Sequence, residues 1–288
     1  MSPKTVGLIA HTGKPGAAEL VRQLQTEFEH AGVKVEMETD TATLAGLQSN
    51  RTVAQLGVEA DLLVVLGGDG TILHVVGGLG ETIKPVFGIN IGSLGFLTCL
   101  NSSAYRDAVQ SIVSGKFALS ERVLFKVEVT TKGKPSPPAR ALNDAVISRG
   151  EISRLIRLRT RVNGISLTEF NADGLVVATP TGSTAYSLSA GGPILEPQSG
   201  VFVITPICPH VLTNRSVIVG DQSVIEVEAS EPDYPVYLTL DGRDPVPLDF
   251  GSTVVIRRAK QTLPLAMLPE HSFFRVVRQK LKWRGSTI

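Results

Sequence analysis

The sequence lacks the features that identify several classes of protein. Only two of its 288 residues are cysteines, Cys99 and Cys208, too few and too far apart for a disulfide framework or a cysteine-rich zinc site. No stretch approaches the ~20 apolar residues of a membrane span, and the N-terminal residues lack the long apolar core of a signal peptide. These absences favour a protein of the reducing cytoplasm, with both cysteines as buried thiols.

An excess of either charge is also missing. The formal net charge is +1, from 28 Lys and Arg against 27 Asp and Glu, whereas proteins that bind nucleic acids usually show a marked basic excess on one face. Hydrophobic residues make up 42% and charged residues 19% of the chain, which is typical of a globular protein. We therefore expect neither a nucleic-acid nor a membrane partner, and the length predicts two domains.

The first hundred residues alternate strand-like and helix-like patterns. Continuous apolar runs at 6–10, 62–66 and 85–91 predict strands, and apolar residues at helical spacing within 20–28 predict a helix. Unbroken apolar strands between helices are typical of a parallel sheet covered on both faces. The pattern therefore predicts an open, Rossmann-like α/β domain over residues 1–100.

After residue 100 the pattern changes to short alternating strands separated by turn residues, which predicts a β-rich, sandwich-like domain over 101–268. Its clearest strand is 156–162, where three arginines share one face that we interpret as solvent-facing. Residues 132–140 are typical of an exposed hairpin loop. The segment 269–288 mixes aromatic and basic residues, which predicts an amphipathic helix that packs back on the N-terminal domain.

The strongest local signal is the glycine-rich turn GGDGT at 67–71, between a buried strand and a helix. In open parallel sheets, ligands bind beyond the carboxyl ends of the strands, and such a turn lets backbone N–H groups approach phosphate. Thr71 can cap the helix that follows. A carboxylate in a phosphate cradle would repel the anion unless a metal or hydroxyl lies between them, so Asp69 is predicted to be functional. The alternative is a turn aspartate that stabilises its own backbone.

A second signal is the run 171–193, which is dense in hydroxyls and glycines. Such a run can bond sugar hydroxyls and phosphates, and Tyr186 offers a flat face for a base. The sequence has no G-x-S-x-G elbow near this run and no G-x-x-x-x-G-K-[ST] motif. These absences argue against a serine hydrolase and an ordinary P-loop kinase.

Together these motifs resemble those of the NAD kinase family: the GGDGT turn, Asn-Asp at 143–144, and DGLVVATPTGSTAY at 173–186. The similarity includes GINIGSLGFLT at 88–98 and TPICPH at 205–210, and it continues to the tail. The resemblance implies phosphoryl transfer from ATP to the adenosine-ribose 2′-hydroxyl of NAD, giving NADP. It also implies Mg²⁺ on the donor phosphates and a homo-oligomer, commonly a dimer or tetramer.

The same resemblance implies roles for individual residues. Asp69 would be the general base that accepts the hydroxyl proton, with Gly68 and Gly70 near the donor phosphates. The NAD-binding residues that it implies are Gly70, His74, Asn143, Asp144, Arg154, Asn171, Asp173, Thr184, Ala185, Tyr186, Ser187, Leu188, Ser189 and Arg243.

Four of these positions depart from the pattern of the family. Asp144 replaces the commoner Glu. Arg154 stands where many members have His, Asn171 where some have Arg, and Arg243 where Gln is common. Arg243 could reach the incoming phosphate or form a surface ion pair with Asp244. The sequence leaves both possibilities open.

Two other functions remain as alternatives. Lipid kinases and phosphofructokinases carry loops similar to GGDGT, so a lipid or sugar kinase is the first, although the TPTGSTAY run at 179–186 separates this chain from them. The second is a nucleotide sensor that binds NAD or NADP without turnover. Asp69 argues against a sensor, which has no need of a carboxylate beside phosphate.

The residue at position 171 generates a prediction about the acceptor. In the family that the sequence resembles, arginine here accompanies strict preference for oxidised NAD, whereas uncharged residues accompany acceptance of NADH. Since this chain has Asn171, we expect measurable NADH phosphorylation at saturating donor. Activity on NAD with none on NADH, measured in parallel on the purified protein, would show that the family behaviour does not transfer.

Overall fold

The structure is a computed structural model that describes residues 2–150, 154–211, 213–229 and 235–283. The chain divides into two compact units, Met1–Glu121 with Leu263–Ile288 and Arg122–Thr262. The domain boundaries at residues 100 and 268 stay a prediction. No helix in the described residues is long and apolar enough to cross a membrane.

The first part of the chain alternates strands and helices. Its elements are β1 (Thr5–Ala10), α1 (Ala17–His30), β2 (Lys34–Met37), α2 (Thr39–Leu44), α3 (Val53–Glu59), β3 (Leu62–Gly67), α4 (Asp69–Gly78), β4 (Val86–Asn90), β5 (Leu100–Asn101), a 3₁₀ turn (Ser102–Ala104) and α5 (Tyr105–Val113).

The rest of the described chain is mostly β. Its elements are β6 (Ala118–Thr131), β7 (Lys134–Pro135), β8 (Ala139–Ala141), β9 (Asp144–Arg149), β10 (Ile156–Val162), β11 (Ile165–Ala172), β12 (Gly174–Ala178), a 3₁₀ turn (Gly182–Thr184), α6 (Tyr186–Ser189), β13 (Val201–Ile207), β14 (Val217–Gly220), β15 (Ile225–Ala229), β16 (Val236–Leu240), β17 (Val246–Leu248), β18 (Thr253–Met267) and α7 (Phe273–Lys280).

The first unit contains a parallel sheet in the order β4–β3–β1–β2, and the end of β18 pairs parallel with β4. Strand β3 is buried along its whole length, as expected of a strand covered on both faces. The prediction of an open α/β sheet is confirmed. The carboxyl ends of β1, β3 and β4 therefore meet at one edge of the sheet.

Helix α1 shows how the local sequence sets these elements. Leu20, Val21, Leu24 and Phe28 are buried, because their helical spacing places them on one face of the helix. Gly32, with φ of +74°, takes the left-handed conformation that ends many helices. The following N–H, that of Val33, bonds the carbonyl of Phe28 at 2.9 Å, which completes a Schellman motif.

The second unit is a sandwich of two β layers. One layer is an antiparallel sheet in the order β14–β13–β12–β9–β16–β17, and the other includes β11–β10–β15 and the start of β18. Apolar side chains of both layers form one core, in which the rings of Phe125 and Phe202 lie 4.6 Å apart. In β10, Ile156 and Leu158 are buried and the arginines are exposed, so both the sandwich and the interpretation of the arginine face are confirmed.

Two smaller expectations had different outcomes. The loop at 132–140 is an exposed hairpin, as predicted, with Lys132 and Gly133 at φ of +50° and +76° in its turn. Of the two cysteines, Cys99 is buried but Cys208 is exposed, so the expectation of two buried thiols is wrong for Cys208. Cys208 directly follows β13 and adopts φ of +45°, which takes the chain out of the buried strand.

Candidate active site

The turn between β3 and α4 is shaped by its glycines. A Cβ at Gly67 would lie 2.1 Å from Oγ1 of Thr71, so only glycine leaves room for that hydroxyl. The N–H of Gly68 in turn donates to the same oxygen at 3.3 Å. Thr71 therefore caps the start of α4, as the sequence predicts, and leaves the first turn of the helix open to a ligand.

The carboxylate of Asp69 accepts two backbone hydrogen bonds from the loop that follows β4. The N–H of Phe96 donates to Oδ2 at 2.8 Å and that of Leu97 to Oδ1 at 3.0 Å. A Cβ at Gly95 would lie 2.0 Å from Oδ1, so a side chain there would displace the carboxylate. The geometry of Asp69 is thus set by residues nearly 30 positions away in sequence.

The loop that holds Asp69 is itself bonded internally. The N–H of Gly95 donates to Oγ1 of Thr98 at 3.0 Å, and the side-chain amide of Asn90 lies 3.4 Å from the same oxygen. Asn90 and Thr98 are both buried. The family resemblance includes this loop, within GINIGSLGFLT at 88–98, but implies no role for it. Its position after the strand next to β3 is a second signal that points to the site.

A cavity of about 510 Å³ lies at the carboxyl edge of the parallel sheet, within the usual size range of small-molecule sites. Its lining residues are Ile9, Ala10, His11, Thr12, Lys14, Glu38, Asp40, Val53, Gly68, Gly70, Thr71 and His74. Lys14 adds a cation to this cavity, which also includes the N-terminus of α4, where anions are favoured. Asp69 is not among the lining residues. The structure therefore places His74, predicted for NAD, in the same cavity as the two glycines predicted for donor phosphates.

Two carboxylates also line this cavity, and they differ in their surroundings. Glu38 caps α2, since its Oε2 accepts the N–H of Thr41 at 2.9 Å and its hydroxyl at 3.0 Å. Asp40 is exposed. No cluster of three or more His, Cys, Asp or Glu suited to a metal occurs in the described residues. A metal here would need ligands from the bound molecule.

In the second unit, the carboxylate of Asp241 holds the backbone that carries Asn143 and Asp144. Its oxygens accept the N–H groups of Leu142 and Asn143 at 2.7 Å each and of Asp144 at 3.1 Å. Asp241 is buried and lies just beyond β16, and its φ is +51°. The start of β9 is therefore fixed by three bonds to one side chain.

The proximity of two buried carboxyl groups changes their titration. Burial and then the charge of Asp241 raise the pKa of Asp144 from 3.8 to about 7. Burial also raises the pKa of Asp241, but its three N–H bonds and Arg243 act in the opposite direction. Asp241 is therefore the better stabilised carboxylate of the pair, and Asp144 is the group that retains a proton near neutral pH.

The hydroxyl-rich run packs directly against Leu142 and Asn143. Oγ1 of Thr179 donates to the carbonyl of Leu142 at 2.6 Å and accepts the N–H of Gly182 at 3.1 Å. A Cβ at Gly182 would lie 2.0 Å from the carbonyl oxygen of Asn143. The two predicted NAD-binding segments, around Asn143 and 179–189, are thus one packed structure.

The hydroxyls of this run differ in what they can offer a ligand. Oγ of Ser187 is buried 3.2 Å from Oγ1 of Thr205, and Oγ1 of Thr184 donates to the carbonyl of Thr181 at 3.2 Å. Tyr186 is 45% exposed and Ser189 is also exposed. Ala185 and Leu188 are half-buried. Ser187 therefore contributes to the packing of the run, while Tyr186 and Ser189 present their side chains.

Asn171 lies near the end of β11, and Asp173 lies between β11 and β12. Oδ1 of Asp173 pairs with Nε of Arg149 at 2.7 Å, and this contact raises the pKa of the guanidinium. The backbone carbonyl of Asn171 accepts the N–H of His210 at 2.9 Å. The ion pair with Arg149 could not be read from the sequence, because the two residues are 24 positions apart.

Arg243 adopts an arrangement that neither sequence-based alternative includes. Its Nε donates to the carbonyl of Leu240 at 3.0 Å, and its NH2 donates to the carbonyl of Arg140. The guanidinium therefore binds protein backbone in the turn after β16. Arg154, the remaining predicted residue, is exposed before β10.

Comparison with known proteins gives matches along nearly the whole chain. The family model of the ATP-NAD kinase N-terminal domain matches residues 6–117, and that of the ATP-NAD kinase C-terminal domain matches residues 142–268. A protein of Solibacter usitatus (strain Ellin6076), named NAD kinase, is 40% identical over 280 residues, covering 97% of this chain and 98% of that protein.

Solved structures show the same similarity. Yeast NADH kinase in complex with NADH has a TM-score of 0.91 and 28% identity, with coverage of 100% of this chain and 90% of that one. An NAD kinase from Archaeoglobus fulgidus in complex with ATP has a TM-score of 0.78 and 25% identity, with coverage of 98% and 100%.

The buried pair of carboxyl groups predicts a pH dependence of stability. Between its ordinary pKa and about 7, Asp144 is ionised in the unfolded chain but protonated in the folded one, so stability falls as pH rises through this window. Asp144→Asn removes the titration. From pH 5 to 8, wild type should lose roughly 2 kcal/mol of unfolding free energy relative to the variant. Urea unfolding at both pH values measures this, and equal pH slopes would contradict it.

Proposed function

The chain belongs to the NAD kinase family, and we propose that it transfers the γ-phosphoryl group of ATP to the 2′-hydroxyl of the adenosine ribose of NAD, with Asp69 as general base. The observation that carries this proposal is the placement of Asp69. It is the second residue after a buried parallel strand, and its carboxylate is oriented by two N–H groups. A turn aspartate that stabilised its own backbone would bond its own turn instead.

The cavity beside α4 suits the phosphates of the donor. Gly68 and Gly70 lie at the N-terminus of a ten-residue helix, where backbone N–H groups and the helix dipole favour negative charge. A Cβ at either glycine would meet nothing within 4 Å, so these glycines leave open space rather than fill a packed position. Lys14 adds a positive charge to the same cavity.

The residues present also fit a magnesium ion carried by the donor. Mg²⁺ keeps several waters and is usually held by substrate phosphates with one or two carboxylates. Asp40 is the exposed carboxylate of the cavity that would serve it. When bound, the ion neutralises the phosphate oxygens. The N-terminus of α4 and Lys14 would bind the phosphates themselves.

The geometry of Asp69 suits a base that acts late. Phosphoryl transfer runs through a loose transition state, so the hydroxyl proton needs to leave only as the new bond forms. Each carboxylate oxygen accepts one backbone N–H, which leaves further lone pairs to accept the hydroxyl proton. The two N–H bonds fix the direction of these lone pairs.

The acceptor is proposed to bind to the second unit. Asn143 and Asp144 are held in place by Asp241, and the buried oxygen Oδ1 of Asn143 has no partner within the described residues, so it can accept a hydroxyl of the ligand. Tyr186 offers an exposed ring to a base. We further propose a cytoplasmic homo-oligomer, a dimer or tetramer, as the family resemblance implies.

Asp69→Asn tests the base directly. The amide keeps the shape of the side chain but cannot accept the hydroxyl proton, so kcat should fall ~10²- to 10⁴-fold while NAD binding is retained. One N–H bond to the loop is also lost, which costs about 1 to 3 kcal/mol of stability. Steady-state rates beside calorimetric NAD titration would separate these effects.

Asp61→Asn provides a matched control for this change. Oδ2 of Asp61 accepts the N–H groups of Lys4 and Thr5 at 2.8 and 3.0 Å, so it too bonds two backbone groups, at a position without a proposed role in the reaction. It should lower stability and leave kcat within about twofold of wild type. Near wild-type turnover in a folded Asp69→Asn protein would end the assignment of the general base.

Tyr186→Ala tests the acceptor site. Stacking of a base on an aromatic ring is worth ~1 to 3 kcal/mol, so the KM for NAD should rise about tenfold or more while the KM for ATP changes little. Tyr186→Phe keeps the ring and should behave like wild type. Unchanged NAD saturation in the alanine variant would remove Tyr186 from the acceptor site.

A further inference from the structure

Phe96 makes two contacts that serve different purposes. Its backbone N–H donates to Oδ2 of Asp69 at 2.8 Å, and its ring lies 6.2 Å from the ring of Phe273, at 46°. Phe273 is the first residue of α7. A single residue thus joins the C-terminal helix to the carboxylate that is proposed to act as the base.

Helix α7, which carries that ring, is anchored by two buried side chains and by the turn before it. Val276 and Val277 are buried, and α7 follows the turn at the end of β18, where the N–H of His271 bonds the carbonyl of Leu268 at 2.9 Å. Just before this turn, β18 pairs in parallel with β4, and Leu265 lies opposite Val86. Strand β4 leads into the loop that bonds Asp69. Helix α7 therefore begins shortly after a strand, β18, that is paired with β4.

A second contact ties the far end of the same loop to β18. Sγ of Cys99 lies 2.8 Å from the carbonyl oxygen of Ala266, and both groups are buried. The loop is therefore held at Phe96 by the ring of α7 and at Cys99 by the strand that precedes α7. Both attachments come from the last 26 residues of the chain.

These attachments add to the bonds that Gly95 and Asn90 make to Thr98 within the loop, whose own sequence is permissive. Gly92 has φ of +123°, and Gly95 has no side chain that could restrict it. Glycine-rich backbone is conformationally mobile unless tertiary contacts fix it. Because the N–H of Phe96 bonds Oδ2 of Asp69, a shift of this N–H would also shift the carboxylate. Misplacement of a reacting group by about 1 Å can cost ~10²-fold in rate.

We propose that Phe273 is a positioning residue for phosphoryl transfer, acting through Phe96 on the carboxylate of Asp69. The inference deepens the proposed function and rests on Asp69 as the base. Phe273 is not proposed to contact the substrate. Its ring sets where the Phe96 N–H points, and the C-terminal helix thereby becomes part of the catalytic structure and not only of the core.

Phe273→Ala tests the proposal against a neighbour on the same helix. The variant should lower kcat on the order of tenfold, with the KM for NAD within about twofold of wild type. Phe273→Tyr keeps the ring and should restore kcat. Phe274→Ala removes a ring that is 57% exposed and lies 5.4 Å from the ring of Phe273, and it should leave kcat within about twofold. Equal losses in both alanine variants, at matched melting temperatures, would overturn the proposal.

A double-mutant cycle with Asp69→Asn separates positioning from general structural damage. If Phe273 acts through the carboxylate, Phe273→Ala should cost less than about twofold in kcat once the base is already lost. The same tenfold loss of kcat in the wild-type and Asp69→Asn backgrounds would contradict the positioning role of Phe273 but not the role of Asp69 as the base. Wild-type turnover in Asp69→Asn would contradict the proposed function and the positioning role with it. If Phe273→Ala does not fold, Phe273→Leu takes its place in the cycle.

Discussion

The carboxylate of Asp69, held between the N–H groups of Phe96 and Leu97, is the interaction on which the first unit's site depends. It joins the turn after β3 to the loop after β4, two segments that lie at one edge of the sheet because their strands are parallel neighbours. Gly67 leaves room for the cap of α4, and Gly95 leaves room for the carboxylate itself. The placement of Asp69 and of the cap of α4 therefore requires glycine at two positions that are far apart in sequence.

The second unit uses the same chemistry for a different purpose. Asp241 accepts three backbone N–H groups at the start of β9, so a buried carboxylate again orders a strand end that carries predicted site residues. Because Asp241 is committed to these bonds, Asp144 retains the proton of the pair, with its pKa at about 7. The closeness of the two groups thus gives the proposed acceptor site an ionisable group that titrates in the physiological range.

The sequence predicts the elements better than it predicts their partners. Unbroken apolar strands and the alternation in β10 determine the parallel sheet and the sandwich, because burial leaves a periodic mark on side chains. The donors to Asp69 are backbone N–H groups, which leave no such mark. The same holds for the backbone carbonyls that Arg243 binds. The buried contact between the hydroxyls of Ser187 and Thr205 joins residues 18 positions apart, so it too exists only in the folded chain.

The carboxylate of Asp69, oriented in this way, is proposed to serve phosphoryl transfer to the ribose of NAD. In the most direct measurement, the purified protein is incubated with ATP, magnesium and one acceptor at a time: NAD, a sugar, diacylglycerol or sphingosine. Both the ATP consumed and the phosphorylated product are quantified. We expect one NADP, phosphorylated at the 2′ position, for each ATP consumed, and no product from the other acceptors. Phosphorylation of a lipid or sugar without NADP, or binding of NAD without any turnover, would contradict the proposed function.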